Sequence, residues 1–336
     1  MKPISLRITL WCLALSHAAL AYGAEPILKS GDRVALVGNT VIERARLSGQ
    51  LEAALQLAAG PEVKNISIRN LGWSGDSVFG DSRSYFGPPQ EGRERLVSIV
   101  SEIKPQVIFL CYGTGAAMSV DQGWTDEPIH KEPSASGMEG SLATFSQGYQ
   151  EKIDRLRSAA GGSLREIVLV SPPPLENLGE PLPDQTENNA RLAIFRDRIK
   201  QLATDNQLSF VDWFAALGGD DFNGEVASPA LTNNGLHYSK SGYQILGREL
   251  VKGLGYGETS TIANDETPEL VASIIEKNRL FFHRWRPANE TYLFLFRKHE
   301  QGQNAKEIPM FDPLIAEQEK NIEAARQKVF AGQPKN

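Results

Sequence analysis

The chain has 336 residues, with 35 basic and 41 acidic side chains and a formal net charge of −6. This length suits one large α/β domain with an additional segment, because single cores rarely grow beyond about 250–300 residues. The acidic balance argues against nucleic acid or an anionic membrane as a partner, since binding phosphate requires a basic face.

The first 24 residues have the pattern of a signal peptide. Two basic residues precede an apolar stretch from Ile8 to Leu20, and small residues suited to peptidase cleavage follow up to Ala24. The stretch is shorter than the roughly 20 residues that span a bilayer, so we expect a soluble protein exported to the periplasm or the extracellular space. A retained signal anchor is the alternative. Cleavage would leave Cys111 as the single cysteine, which excludes an intrachain disulfide.

Five apolar, β-rich runs then alternate with helical patterns. The runs are Val34–Val37, Ile66–Arg69, Val107–Tyr112, Ile167–Val170 and Leu208–Trp213, and the helical patterns are Val41–Ala59, Arg93–Ile103, Leu142–Ala160, Asn189–Asn206 and Gly242–Leu254. Nearly continuous hydrophobicity is typical of strands covered on both faces. Strict β/α alternation predicts a parallel sheet with right-handed crossovers, whose functional loops lie beyond the carboxyl ends of the strands.

Two insertions interrupt the alternation. Residues Trp124–Gly140 are rich in Pro, Gly, Ser and charge, which predicts a surface loop, and Ser171–Asp184 is a proline-rich excursion that cannot be helix or central strand. Both leave from strand carboxyl ends. Either insertion is a wall of a substrate cleft or a solvent loop without a role, and the sequence leaves both interpretations open.

Residues 258–336 have a different composition, and we interpret them as an appendage packed on a main domain of residues 25–257. The pattern predicts an amphipathic helix at Thr267–Phe281, a β-like segment at Tyr292–Phe296, a proline-interrupted stretch at Ile308–Asp312 and a polar helix from Leu314 to about Val329.

Four short segments follow strands or lie near the end of the α/β part. They are Gly38-Asn39-Thr40, Asn70 to Ser77 (Asn-Leu-Gly-Trp-Ser-Gly-Asp-Ser), Gly113-Thr114-Gly115 and Asn234-Gly235-Leu236-His237. Their order and setting resemble the four blocks of the SGNH (GDSL-type) ester hydrolases in a divergent form. The resemblance covers roughly residues 31–254. It implies a flavodoxin-like three-layer α/β/α sandwich around a parallel sheet of about five strands.

The resemblance also implies roles for individual residues. Thr40 stands where the family has its nucleophilic serine, and His237 is the general base. Asn234 replaces the carboxylate that orients the histidine. In the second block, Gly75 is the oxyanion donor, and Gly115 replaces the asparagine that donates from the third block.

Other interpretations of these residues stay open. Thr40 or Asn39 is a helix cap if the site is not catalytic, and Asn39 is an oxyanion donor if its amide takes over that role. Three further carboxylates are candidates to support His237, namely Asp212, Asp220 and Asp221. Arg284 and Arg286 flank a tryptophan, an arrangement that suits recognition of a carboxylate, a sulfate or a sugar, or that fastens the appendage to the acidic main domain.

The sequence therefore predicts an exported ester hydrolase that acts on a small-molecule or polysaccharide ester, with acetyl esters of carbohydrates as the class implied by family and export. The alternatives are a catalytically inactive relative that binds a glycan or a protein partner, and a scaffold part of a larger assembly. We expect no cofactor and no metal, since His, Cys and Asp nowhere cluster with the spacing of metal ligands.

Overall fold

The protein is described by a computed structural model that covers residues 26–120, 137–220, 229–257 and 267–332. The predicted signal peptide, Asp221 and all of the Trp124–Gly140 insertion before Gly137 lie outside the described residues. Within the described ranges, none of the helices combines the length and the apolar composition needed to cross a bilayer.

The centre of the fold is a five-stranded parallel sheet. Its strands are β1 (Arg33–Gly38), β2 (Ser67–Asn70), β3 (Val107–Cys111), β4 (Glu166–Val170) and β5 (Ser209–Val211), in the order β2-β1-β3-β4-β5. The chain moves from β1 to β2 on one side and then crosses to β3 on the other, so the order reverses beside β1. This reversal is where doubly wound sheets bind ligands. The predicted strands and the three-layer fold are confirmed, with strand ends shifted by one or two residues.

Helices cover both faces of the sheet. They are α1 (Thr40–Ser48), α2 (Gln50–Ala58), α3 (Pro89–Ile103), α4 (Thr114–Met118), α5 (Gly137–Ala160), α6 (Thr186–Asp205), α7 (Trp213–Ala216), α8 (Lys240–Gly253), α9 (Pro268–Trp285), α10 (Glu290–Leu293), α11 (Lys298–Gln301) and α12 (Phe311–Ala331). Short 3-10 helices occur at Asp81–Arg83, Gly161–Ser163 and Gly302–Met310. Residues 137–140 thus begin α5, although the sequence predicts a loop there.

Side chains of the strands alternate between two cores, as the period of two in a strand requires. On β1, Val34 and Leu36 belong to the core shared with α1, α2 and α8. Ala35 and Val37 belong to the core shared with α3, α5 and α6. The sheet is therefore buried on both faces, which explains its nearly continuous apolar sequence.

Gly49 breaks the helix that the sequence predicts over Val41–Ala59. Its φ is 67° and its ψ is −4°, so α1 ends and α2 starts at a left-handed residue. A Cβ at this position would lie 3.2 Å from a side-chain carbon of Ile274 and 3.3 Å from the carbonyl oxygen of Val271. The prediction of one helix was wrong because the glycine both turns the chain and lets α9 approach closely.

The C-terminal helices pack on the β2 side of the domain. Lys277 of α9 is fully buried and donates to the carboxylate of Glu52 at 2.8 Å and to the carbonyl oxygen of Ile68 at 2.7 Å. Arg326 of α12 is also fully buried and donates to the carbonyl oxygens of Gln56 and Gly60. These bonds satisfy buried polar groups on both sides of the contact, as burial of charge demands. The division into domains at residue 257 stays a prediction.

The β-like segment predicted at Tyr292–Phe296 is not a strand. Residues Glu290–Leu293 form α10, and the chain then turns. Arg95 of α3 forms an ion pair with Glu290. The segment therefore lies beside a helix and not beside a strand with which it could pair. Aromatic residues favour a strand only where a neighbouring strand offers a sheet surface on which they can pack.

Candidate active site

Thr40 begins α1 directly after the carboxyl end of β1. The backbone needs glycine at Gly38, because a Cβ there would lie 2.6 Å from the carbonyl oxygen of Cys111 and 2.5 Å from Ile42. Asn39 is the residue before the helix, and its side chain makes no capping hydrogen bond. Thr40 is half-buried. Because it follows β1, beside which the strand order reverses, it lies at the edge of the sheet where this reversal occurs.

Gly75 places a main-chain donor against this hydroxyl. Its N–H donates to Oγ1 of Thr40 at 3.3 Å, although the two residues come from different loops. Gly75 is exposed and has a φ of +78°, a conformation that glycine adopts without strain. A hydroxyl next to an exposed N–H is the local arrangement of a nucleophile beside an oxyanion donor.

The first turn of α1 holds the Gly75 loop in place. A Cβ on Gly72 would lie 2.2 Å from the main-chain nitrogen of Glu43, so only glycine permits this approach. The Glu43 carboxylate accepts the N–H of Ser74, and it pairs with Arg286 at 3.3 Å. These contacts fix the Gly75 loop against the first turn of α1.

A buried ion pair underlies the same loop, and sequence reasoning missed it. Nε of Arg83 donates to Asp76 at 2.6 Å, and both side chains are fully buried. The Tyr112 hydroxyl also donates to Asp76, at 2.7 Å, while Arg83 donates to the carbonyl oxygen of Leu71 at 2.9 Å. Burial lowers the pKa of Arg83, but Asp76 and Tyr112 outweigh this effect and raise it, so the guanidinium stays charged. Removing one partner of such a pair typically costs about 3–5 kcal/mol, because the other charge is left buried.

His237 lies in a turn before α8. Its Nδ1 is 3.3 Å from Nδ2 of Asn234, and Oδ1 of that amide accepts the main-chain N–H groups of His237 at 2.8 Å and Leu236 at 3.2 Å. The pKa of His237 is lowered by partial burial and by the nearby Arg44 of α1. This direction favours the neutral imidazole, which is the form that a general base requires.

The proline-rich excursion holds the histidine turn. The buried carboxylate of Glu176 accepts the N–H of Leu231 at 2.8 Å and both the N–H and the hydroxyl of Thr232 at 2.6 Å. The main-chain N–H of Glu176 donates to the carbonyl oxygen of Gly235 at 2.9 Å, and a Cβ on that glycine would lie 2.6 Å from the carbonyl oxygen of Glu176. This part of the excursion is thus structural support rather than a free solvent loop.

The third block brings no side-chain donor to the site. Gly113 has a φ of +139°, α4 begins at Thr114, and Gly115 lies in its first turn. A glycine offers only its main-chain N–H where the resemblance implies an asparagine. The loss of one oxyanion donor typically costs a hundredfold or more in rate.

Two of the three alternative carboxylates, Asp212 and Asp220, are described, and both are engaged away from His237. Asp212 caps α7 by accepting from Ala215 and pairs with Arg196 at 2.9 Å. Asp220 pairs with the same arginine. Among the described residues, no three His, Cys, Asp or Glu side chains are arranged to hold a metal ion.

The two arginines suggested for substrate binding are engaged within the protein. Arg284 pairs with Glu102 of α3 at 3.0 Å and with Asp312 of α12 at 2.8 Å. Arg286 stacks over the ring of Trp73 at 3.6 Å in addition to its pair with Glu43. These contacts fasten the end of α9 to the main domain, which is the second interpretation that the sequence left open.

Comparison with known proteins places the chain in a family. The model of the GDSL-like lipase/acylhydrolase family matches residues 32–245. No curated protein matches the sequence. Similar solved structures include Axe2, an acetylxylan esterase from Geobacillus stearothermophilus, with 18% identity over 69% of this chain and 97% of that one and a TM-score of 0.49. LAE5, an α/β hydrolase from the metagenome of Lake Arreo, Spain, has 17% identity over 68% and 98% of the two chains and a TM-score of 0.47. The matched region contains all four blocks, and the chain belongs to the GDSL-like lipase/acylhydrolase family.

Proposed function

We propose that the protein is an exported ester hydrolase that removes acyl groups, such as acetyl, from carbohydrates. The contact between the N–H of Gly75 and Oγ1 of Thr40 carries this proposal, because it joins a nucleophile to an oxyanion donor. Family membership supports ester chemistry. Export is supported by the N-terminal pattern, and it would place the protein among extracellular polysaccharides.

In the proposed reaction, Oγ1 of Thr40 attacks the ester carbonyl carbon, and its proton passes to Nε2 of His237. The negative carbonyl oxygen receives N–H groups from Gly75 and from Thr40, whose own N–H lies in the first turn of α1 and has no intrahelical partner. The tetrahedral intermediate then expels the alcohol, which takes the proton from His237. Water hydrolyses the acyl-threonine by the same steps in reverse order.

Two features make this hydrolase slow. The β-methyl group of Thr40 restricts rotation of the attacking hydroxyl. The amide of Asn234 supplies no negative charge to the imidazolium that forms on His237, and the equivalent amide in a serine protease lowers turnover by about 10⁴. We therefore expect turnover well below that of a complete serine site.

A second candidate function is carbohydrate binding without turnover. The specific observation in its favour is the orientation of the Asn234 amide, whose nitrogen rather than oxygen lies beside His237. A site that has stopped hydrolysing its ligand keeps the cleft and loses only the proton transfer.

The test is release of p-nitrophenol from short-chain p-nitrophenyl esters by the purified protein. Thr40→Ala and His237→Ala are compared with Thr204→Ala and His299→Ala, which change an exposed threonine of α6 and a histidine that is 75% exposed. Loss of hydrolysis in the first pair alone supports the proposal. Absence of hydrolysis, or hydrolysis that persists in the first pair, contradicts it and leaves the binding function.

A further inference from the structure

Arg44 is a cation without a counter-ion beside the candidate active site. It lies on α1, four residues after Thr40. Among the residues that the structure describes, its side chain makes no ion pair and no hydrogen bond. Its Nε is buried, whereas the two terminal nitrogens of the guanidinium are not, so these two donors are accessible from solvent. The polar groups of a partly buried arginine normally find acceptors, and here the terminal nitrogens remain available to a ligand.

The geometry of α1 places these donors beside Thr40. Residues four apart lie on one face of a helix, and a helical side chain leans back over the preceding turn, so Arg44 covers the turn that begins at Thr40. Glu43 lies on one side of that turn, where its carboxylate accepts the N–H of Ser74 in the Gly75 loop. Arg44 follows Glu43 by about 100° around the helix, so it lies on the other side of Thr40.

The side of Thr40 on which Arg44 lies is also the side of His237. The Tyr243 hydroxyl on α8 donates to the carbonyl oxygen of Val41 at 2.7 Å, which holds the start of α8 against the first turn of α1. Burial and then the charge of Arg44 lower the pKa of His237. Burial raises the pKa of Tyr243, and Arg44 opposes that rise. The guanidinium therefore lies close enough to both rings for its charge to act on them.

The surroundings of Arg44 offer no negative charge to balance it. The nearest carboxylate in sequence, Glu43, pairs with Arg286. Asn234 stands where the family has a carboxylate, so the site has also lost the charge that would face His237. An unbalanced cation attracts an anion, and the planar fork of a guanidinium pairs with the two oxygens of a carboxylate.

The proposed reaction indicates which part of an ester would reach Arg44. The carbonyl oxygen is held by the N–H of Gly75, and the leaving alcohol takes its proton from His237. Arg44 lies on the His237 side of Thr40, away from the Gly75 loop. It is therefore closer to the alcohol portion of the ester than to the carbonyl oxygen.

We propose that Arg44 binds an anionic group on the alcohol portion of the substrate, which makes an acidic carbohydrate, such as one that contains a uronic acid, the preferred carrier of the ester. This proposal rests on the proposed function, because that reaction defines the alcohol portion. The terminal nitrogens of Arg44 would donate to the carboxylate oxygens. The bound anion would also offset the repulsion between Arg44 and the imidazolium that forms on His237.

The experiment compares kcat/KM for 4-acetoxybenzoate and 4-acetoxybenzamide at pH 8 and low ionic strength. The two esters share the acetyl group and differ in the charge of the substituent on the alcohol portion. Because pH 8 lies above the ordinary histidine pKa of 6.5, His237 stays neutral when Arg44 is changed. Arg44→Gln removes the cation and Arg44→Lys keeps it. Arg46→Gln is the matched control, since it removes a cation of the same helix that stacks on Phe282 of α9 at 3.8 Å.

The ratio of the two kcat/KM values, anionic ester over amide, should fall about tenfold in Arg44→Gln and less in Arg44→Lys, and it should be unchanged in Arg46→Gln. Sodium chloride at about 0.5 M should lower the ratio of the parent, because salt screens the ion pair. Mono-4-nitrophenyl succinate carries its carboxylate on the acyl portion, and its ratio to 4-nitrophenyl butyrate should not depend on Arg44. A purely structural role of Arg44 would change both esters of a pair equally and leave every ratio as it was.

An equal ratio in the parent and in Arg44→Gln overturns the proposal. An equal fall in Arg46→Gln also overturns it, since the preference would then reflect the overall charge of the protein. A dependence on Arg44 that is found only with the succinate overturns the assignment to the alcohol portion.

The two proposals fail separately. Thr40-dependent hydrolysis with a ratio that is independent of Arg44 removes the anion site alone. If no ester is hydrolysed, calorimetric titration of the full chain with tetragalacturonate and with neutral xylotetraose decides. Binding of tetragalacturonate that Arg44→Gln weakens about tenfold retains the anion site and removes the hydrolase, whereas no such binding removes both.

Discussion

Nδ2 of Asn234 lies 3.3 Å from Nδ1 of His237, while Oδ1 of the same amide accepts the N–H of His237 at 2.8 Å. The oxygen also accepts from Leu236, so rotating the amide by half a turn would set its NH₂ group against two N–H donors. The amide therefore favours the tautomer with the proton on Nε2. The proposed transfer from Thr40 to Nε2 requires the other tautomer, with the proton on Nδ1, so this contact of Asn234 disfavours the reaction.

Asn234→Asp should reverse this tautomer. A carboxylate accepts from both main-chain N–H groups and from Nδ1–H at once, which frees Nε2 to take the proton of Thr40. We expect turnover of p-nitrophenyl acetate to rise by about 10³ or more, by analogy with the ~10⁴ that the reverse change costs a serine protease. The control is Asn188→Asp on α6. Unchanged turnover in Asn234→Asp would show that His237 is not the base.

The sequence predicted the parallel sheet that supports this site, because burial of the strands on both faces also makes their sequences apolar. Strands buried on both faces must be apolar, so β1 to β5 are visible as runs, and parallel strands bring their carboxyl ends to one edge. This edge is where Thr40 and Gly75 meet. The orientation of the Asn234 amide was not predictable, since it depends on which main-chain donors the folded turn presents.

Contacts between distant loop residues were likewise invisible in the sequence. Arg83 ends a 3-10 helix of only three residues, too short for a periodic pattern, and nothing in its neighbours indicates that it is fully buried against Asp76 and Tyr112. Glu176 follows three prolines and resembles a solvent residue until the fold brings Thr232 to it. The strand predicted at Tyr292–Phe296 was wrong for the same reason, because β propensity does not say whether a sheet edge lies within reach.

Thr40→Ser should increase turnover by about tenfold, equivalent to roughly 1.4 kcal/mol of transition-state free energy. The change keeps the hydroxyl that Gly75 contacts and removes the methyl group that restricts its rotation. Steady-state kinetics with p-nitrophenyl acetate measure the effect, and Thr204→Ser on α6 is the matched control. A fall in turnover would mean that the methyl group positions the hydroxyl rather than hinders it.

Gly75→Ala should lower turnover more than it lowers stability. The φ of +78° strains any alanine, and relief of this strain should shift the loop and its Gly75 N–H, while the new Cβ, 3.1 Å from Oγ of Ser82, displaces that side chain. Gly179→Ala is the matched control, because its φ is +76° and no atom lies within 4 Å of the added Cβ. Each change should cost about 1 kcal/mol of unfolding free energy in urea. Equal turnover in the two variants would rule out Gly75 as an oxyanion donor.

The pH dependence of hydrolysis should have its acid limb below pH 6.5. Burial and Arg44 lower the pKa of His237 from 6.5, so the neutral base persists as pH falls and is lost only below that value. Arg44→Gln removes the cation, which should move the limb of kcat/KM to higher pH. Arg248→Gln on the exposed side of α8 should leave it in place. If Arg44→Gln leaves the acid limb of kcat/KM at the same pH, the limb does not report the ionisation of His237.

Lys152 should make the protein more stable as pH rises from about 8 to 10. Its side chain is buried beside Tyr112, and desolvation lowers its pKa from 10.5 to about 8. Between these values the unfolded chain holds a proton that the folded chain has lost, so the free energy of unfolding increases with pH, by at most about 1.4 kcal/mol per unit. Urea unfolding at pH 7.5, 8.5 and 9.5 should therefore give a slope of stability against pH that is lower in Lys152→Met than in the parent and unchanged in Lys320→Met, which changes an exposed lysine. The slopes are compared between variants because burial raises the pKa of the Cys111 thiol, which opposes the trend from about pH 9, and the pKa of buried tyrosines such as Tyr112, which oppose it near pH 10, since the unfolded chain ionises first in both cases. Identical slopes in Lys152→Met and the parent would mean that Lys152 keeps its proton throughout this pH range. Its ammonium group would then be a permanent positive charge in the core.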